Sequence, residues 1–178
     1  MLHPAREWKL IAAENSKRKT IYVRFVLPWL FLITIATIIG TWLATSRELY
    51  SAAYVIYIII LLWTSISAGL YLSAFVIAEI MAHQAGTKNH DRSFALMAYS
   101  LGAAYLTIAI VALFPFLNEL LVLAFYACYL YWQGIPHLIQ IEGPKQMMYA
   151  LFSIIIVILV YLLMFFFFGN ILKEFLIP

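Results

Sequence analysis

Glu79, His83, His90 and Asp91 bring four metal-capable side chains into thirteen positions of this 178-residue chain. Glu79 stands four residues before His83, one helical turn along the same face, with His90 and Asp91 just beyond. Carboxylate oxygen and imidazole nitrogen are both accepted ligands, so a site can be drawn there. The spacing, however, matches neither an HExxH helix nor a Cys/His framework, and a water-facing Glu/His pair at a helix end needs no ion. No metal site and no cofactor are therefore expected. Ser65 and Ser73 are hydroxyl nucleophiles in type, but no histidine shares their apolar run, and His83 or His137 would have to reach in from its edges. There is no nucleophile elbow, phosphate-cradling glycine loop or paired catalytic carboxylate. The chain is expected not to be an enzyme and to carry no catalytic residues. The single cysteine, Cys128, sits in an apolar run and reads as a small packing residue, because reactive thiols need electropositive surroundings.

Hydroxyls also form a stripe. Thr34, Thr37, Thr41 and Thr45 recur every three or four residues, the spacing of one helix face. A polar path for a solute is the sharper meaning of this face; hydroxyls bonded to their own helix carbonyls give the same pattern. Ser65, Gly69 and Ser73 repeat every four residues, as do Ala98 and Gly102. Such small residues let helix backbones approach closely, the means by which membrane helices associate.

The elements that must position these residues follow from composition. Hydrophobic residues make up 66% of the chain and charged residues 11%, against roughly 45–50% and about 25% in soluble domains. Uncharged runs of 22, 30, 26, 22 and 27 residues separate the charges, each longer than the ~20 residues a helix needs to cross a bilayer. The runs lack the alternation of barrel strands, so the fold class expected is all-α: a polytopic bundle of five transmembrane helices in one membrane domain, residues 1–178. The spans are placed near 23–45, 51–81, 94–115, 119–136 and 147–171. Residues 4–16, with Trp8, Ile11 and Ala12 on one face and Pro4 suited to a first turn, are expected to form an amphipathic helix in the headgroup layer. The charged leader, with Glu7 and Glu14, and the long apolar run after it argue for a retained span rather than a signal peptide.

Basic residues set the orientation. Nine (Arg6, Lys9, Lys17, Arg18, Lys19, Arg24, Lys88, Arg92 and Lys145) fall on one side of the five-span arrangement, and only Arg47 and Lys173 on the other. This bias places the N-terminus in the cytoplasm and the C-terminus opposite. The net charge of +3, with Lys17-Arg18-Lys19 beside the first span, points to anionic lipid rather than nucleic acid. No Asp, Glu, Lys, Arg or His lies near the middle of a span, where pumps and proton-coupled carriers keep ionisable groups.

Between the last two spans stands "YWQGIPHLIQIEGPKQMM", residues 131–148. Pro136 should end or kink the fourth span, Gly143 and Pro144 should turn the chain into the fifth, and Leu138, Ile139 and Ile141 should hold the segment along the bilayer surface. Gly134, Ile135, Pro136, His137, Gly143 and Pro144 thus form a candidate interfacial elbow.

This stretch, continued as "YWQGIPHLIQIEGPKQMMYAL", resembles the junction between the fourth and fifth helices of the YIP family, Rab-GTPase-interacting-protein-like membrane proteins, in its bacterial members. Pro4, Trp8 and Ile11 look like that family's amphipathic opening, followed by "YVRFVLPWLFLITIATIIG". The resemblance implies five spans, a cytoplasmic N-terminus and a bacterial inner-membrane location, but no biochemical activity. Rab-type GTPase binding is implied by the eukaryotic relatives only, whose cytosolic N-terminal extension is longer than the roughly twenty residues before the first span here. The function expected is non-catalytic: organising membrane lipids or partner proteins, including further copies of the chain, at the cytoplasmic leaflet. The alternative is a small transporter or lipid-translocating protein using Thr34, Thr37 and Thr41. A cavity reaching the bilayer centre favours the alternative; a close-packed centre favours the organiser.

Overall fold

A computed structural model describes residues 4–43, 52–85, 88–141 and 143–176; Thr45, Arg47 and Glu142 lie outside these. The described residues form helices joined by short turns, with no strand among them. The chain is therefore all-α, and its helices have the length and apolarity of a polytopic membrane protein.

The first helix, α1, spans Pro4–Glu14. A second column runs unbroken from Arg18 to Leu43: α2 (Arg18–Ile21), a π-helical turn (Tyr22–Val26) and α3 (Leu27–Leu43). It starts five residues earlier than the expected span, because helix geometry continues through the basic cluster that charge counting places outside. α4 (Ala52–Ala85) has 34 residues, about 51 Å at 1.5 Å per residue, so it exceeds the ~30 Å hydrocarbon core. α5 (His90–Ser100) and α6 (Gly102–Leu113) form one column with a bend at Leu101. A 3₁₀ helix, Pro115–Phe125, leads into α7 (Tyr126–Leu138), and α8 (Pro144–Leu176) completes the fold.

Four helical columns are long and apolar enough to cross a membrane: Arg18–Leu43, Ala52–Ala82, His90–Leu113 and Lys145–Glu174. The expected fourth span, near 119–136, falls instead on the 3₁₀ helix and α7. The 3₁₀ helix lies against α6 and α7 lies against α5, so this segment runs back along the α5–α6 column. The 3₁₀ stretch is kinked at Leu117, so this segment is not one straight rod.

α4 pairs with α8, and α3 with α6. At the second pairing Gly40 is required, because a Cβ there would run into the backbone carbonyl of Ala112. Core side chains from most columns, among them Leu30, Leu70, Leu96, Ile135 and Tyr149, belong to one cluster. The most apolar window, in α8, is only 6% buried by protein. Such a surface requires an apolar solvent, and in a bilayer it faces lipid.

Candidate functional site

Helix ends gather around the elbow. Asn89 opens α5 by accepting hydrogen bonds from the backbone N–H groups of Asp91 and Arg92, at 3.1 and 3.0 Å, the means by which Asn satisfies the unpaired donors of a first turn. Asp91 in turn accepts from the backbone N–H of Arg18, at 3.2 Å, tying α5 to α2. Lys88 pairs with Glu79, and His90 stacks on Phe75 with ring centroids 5.6 Å apart. The metal-capable residues therefore have other partners: Glu79 a lysine, His90 a phenyl ring and Asp91 a helix start. His83 lies in the last turn of α4, and only its backbone is described. Among the described residues no three His, Cys, Asp or Glu side chains converge as metal ligands.

Pro136, expected to end or kink the fourth segment, lies within the last turn of α7, which stops two residues later at Leu138. A proline inside a helix removes one N–H and leaves the carbonyl four residues earlier without its donor. That carbonyl belongs to Trp132, and it accepts from the side-chain amide of Gln146, 3.1 Å away on α8. Gln146 thus repairs the break and fastens the two sides of the elbow together. The turn itself uses left-handed backbone at Gln140 (φ 63°) and Gly143 (φ 74°), where glycine has no steric penalty. Pro144 begins α8. The elbow differs from the expectation at Leu138, Ile139 and Ile141. These are buried in the protein core rather than resting on a lipid surface, while His137 stays half-buried.

α1 supplies part of the cover. Trp8 is 0% exposed, and a Cβ at Gly134 would collide with Leu96 and come within 2.9 Å of the Trp8 ring. Gly134 is therefore the gap in α7 that seats Trp8, and Ile135 beside it is fully buried. The apolar face of α1, expected to rest on headgroups, packs on α7 through Trp8, with Ile11 and Ala12 against the same core; Lys9 and Leu10 face outward.

The small-residue faces are divided between two tasks. Gly69 of α4 seats the ring of Tyr161 of α8, 2.6 Å from where a Cβ would stand. Gly102 meets the ring of Phe25, and Ala98 is fully buried. Ser73 is buried with its hydroxyl unpaired, whereas Ser65, one turn from Gly69, lines a cavity. The threonine stripe has no such role. Thr34, Thr37 and Thr41 donate to the carbonyls of Leu30, Ile33 and Ile38, and Thr34 also accepts from the Trp63 indole at 2.8 Å. None of the three lines the cavity.

The cavity, 530 Å³, lies between α4, α5, α6, the 3₁₀ helix, α7 and α8. None of the described residues in its walls is charged. Around the outer rim Leu121 and Phe125 of the 3₁₀ helix and Ile158, Leu162 and Phe165 of α8 are all exposed, so the opening faces sideways between these two elements. Ser65, Ser100, Tyr105, Tyr131 and Tyr161 also stand in its walls, but their hydroxyl oxygens are buried within the protein and do not face the open space, so the lining is almost wholly apolar. The Tyr105 and Tyr161 side chains are near neighbours and interact with each other in this wall.

The Yip1 domain, as a family, matches residues 1–166 of the chain. The chain belongs to the Yip1 family. No curated protein and no solved structure matches it significantly. This Yip1-family chain is thus an integral membrane protein.

Within this Yip1-family fold, Gly134 was legible as part of an elbow but not as the seat of Trp8. The cavity residues Tyr105 and Tyr161 carried no pattern of their own, since their convergence depends on how helices from distant parts of the chain meet. Ser65, expected to serve helix packing through its spacing from Gly69, stands in the cavity wall instead. The half-buried Cys128 also lines the cavity.

Proposed function

We propose that this Yip1-family protein handles membrane lipid without catalysis, holding it inside the bundle and organising lipid at the cytoplasmic leaflet. The observation that supports this most is the cavity's sideways opening: its rim is apolar, it faces the lipid-exposed side of α8, and none of the described residues that line it is charged. An apolar concavity of this kind is the default shape of a small-molecule site, and the molecules at its mouth in a bilayer are lipids. The proposal includes five crossings, with the Pro115–Leu138 segment as the fourth, and an N-terminus in the cytoplasm beside Lys17, Arg18 and Lys19.

A second reading, movement of lipid between leaflets, is favoured by depth. Ser65, Tyr105 and Tyr161 stand near the middles of their respective helical columns, so the cavity lies well inside the bundle. The route would be this cavity, not the threonine stripe.

Native mass spectrometry of the full chain, ejected from nanodiscs formed directly out of the membrane, tests the proposal. The wild type should retain lipid, and Ala104→Phe, which fills the cavity from α6, should lose it while keeping its helical content. Equal lipid retention by the two proteins would contradict the proposal. Dithionite bleaching of fluorescent lipid in proteoliposomes separates the readings: accelerated loss of inner-leaflet signal supports translocation, and an unchanged rate supports holding alone.

A further inference from the structure

We infer that the cavity takes in the hydrocarbon tail of a bilayer lipid and leaves that lipid's headgroup outside the bundle. The inference rests on the lipid-holding reading and deepens it by naming the part of the lipid that is held.

What the walls present to the open space is carbon. Ser65, Ser100, Tyr105, Tyr131 and Tyr161 keep their hydroxyl oxygens buried within the protein. The rest of the lining is Leu, Ile, Val, Ala, Met and Phe, with the half-buried Cys128, whose thiol is only a weak hydrogen-bonding group. A phosphate or ammonium group brought into such a chamber would give up its water and meet no partner, and burying an unpaired charge is among the most costly steps open to a protein. Water is a poor occupant as well, because a buried water needs two to four polar partners. A methylene chain has no such demands, and it restores the contacts that an empty space denies its lining.

Placement agrees with chemistry. The lining flanks the midpoints of three spanning columns: Leu62 and Ile66 in Ala52–Ala82, Leu101 and Ala104 in His90–Leu113, and Val157 and Ile158 in Lys145–Glu174. At that depth a bilayer offers chains and no headgroups. Along α8 the lining runs from Ile154 to Phe165, about 17 Å at 1.5 Å per residue and roughly half of the ~30 Å hydrocarbon core. A tail lying beside a spanning helix has this direction and at least this length.

The opening supplies the route. Leu121 and Phe125 on one side and Leu162 and Phe165 on the other are exposed, and they continue the apolar face that α8 turns to lipid. A tail enters sideways across this rim while its headgroup keeps to the membrane surface, so no polar group has to leave water.

Photocrosslinking of the full-length protein in phosphatidylcholine nanodiscs tests the inference. Three phosphatidylcholine probes are compared: one with a diazirine at mid-tail, one with a hydroxyl beside that diazirine, and one with the diazirine on the headgroup. Met97, Tyr105, Ala127 and Tyr131 line the cavity and are at most 7% exposed, so a crosslink to any of them reports entry. Leu159 and Leu163, exposed on α8 outside the cavity, report contact with surrounding lipid and serve as the reference for both tail probes. The plain tail should label the inner residues, the hydroxylated tail should label them about fivefold less or weaker still, and the headgroup probe should leave them unlabelled. Ala104→Phe fills the chamber from α6, and Ala124→Phe adds bulk at the opening, on the 3₁₀ helix where no residue is buried. Each should remove the inner labelling while Leu159 and Leu163 are labelled as before, which also shows that the variants fold and insert. Inner labelling by the headgroup probe, or equal inner labelling by the two tails, overturns the selection for a bare tail and leaves the lipid-holding reading in place. Inner labelling that survives both substitutions, or none from any probe, overturns both.

Discussion

Pro136 and Gln146 show how one residue's defect determines another's use. The proline deprives the Trp132 carbonyl of its helical donor, and the Gln146 amide takes over at 3.1 Å. If this substitution of donors matters, the two positions must be energetically coupled. Gln146→Leu should lower stability by about 1 kcal/mol in the wild type, the net worth of an ordinary hydrogen bond. In a Pro136→Ala background, where a backbone N–H again reaches Trp132, the same change should have almost no effect. Thermal or denaturant melts of the four proteins in one detergent give the cycle, and additive losses would show that the contact is incidental. The elbow's importance was legible from its prolines and glycines. The link between Trp132 and Gln146 was not, because it depends on α8 passing beside α7. Likewise, the even spacing of Thr34, Thr37 and Thr41 suggested a path, but each hydroxyl is satisfied by its own helix.

Among the elements, the long apolar columns were the most legible, since an uncharged run longer than the bilayer is thick leaves the backbone little choice but helix. Their ends were less so. α2 starts within the basic cluster, and α7 continues through Pro136 to Leu138. The 3₁₀ character of Pro115–Phe125 could not be read at all, because apolar residues on nearly every position hide the difference between three residues per turn and 3.6. That difference has a measurable consequence. With no buried residue and weaker hydrogen bonds, Pro115–Phe125 should exchange its amide hydrogens faster than α5, whose Phe94, Leu96 and Met97 lie in the core. Hydrogen exchange on the protein in nanodiscs compares them directly. Protection of 115–125 equal to that of 90–100 would mean that the 3₁₀ helix is as fixed as the core.

At the scale of the whole molecule, the bundle has a tied end and an open side. At the elbow end α1 is anchored by Trp8 in the notch at Gly134, α2 reaches α5 through Arg18 and Asp91, and Gln146 connects α8 to α7. The exposed basic residues Lys17, Arg18, Lys19 and Lys145 gather there as well. This arrangement fits an end that lies in the cytoplasm beside anionic lipid. Single cysteines at Lys88 and Lys145, in a Cys128→Ala background, should react with a membrane-impermeant thiol reagent from the cytoplasmic side alone. Reaction of Lys88→Cys from the opposite side would reverse the orientation.

The open side carries the central claim, that the cavity communicates with lipid rather than water. The native Cys128 lines it and is the chain's single cysteine, so it can carry a nitroxide spin label without other substitutions. In nanodiscs, power-saturation measurements should show high collision with oxygen, which concentrates in the bilayer interior, and low collision with a water-soluble nickel chelate. Ala104→Phe should reduce the oxygen collision by filling the space beside the label. A label at Cys128 that meets the nickel chelate as readily as oxygen would make the cavity an aqueous path and contradict the account.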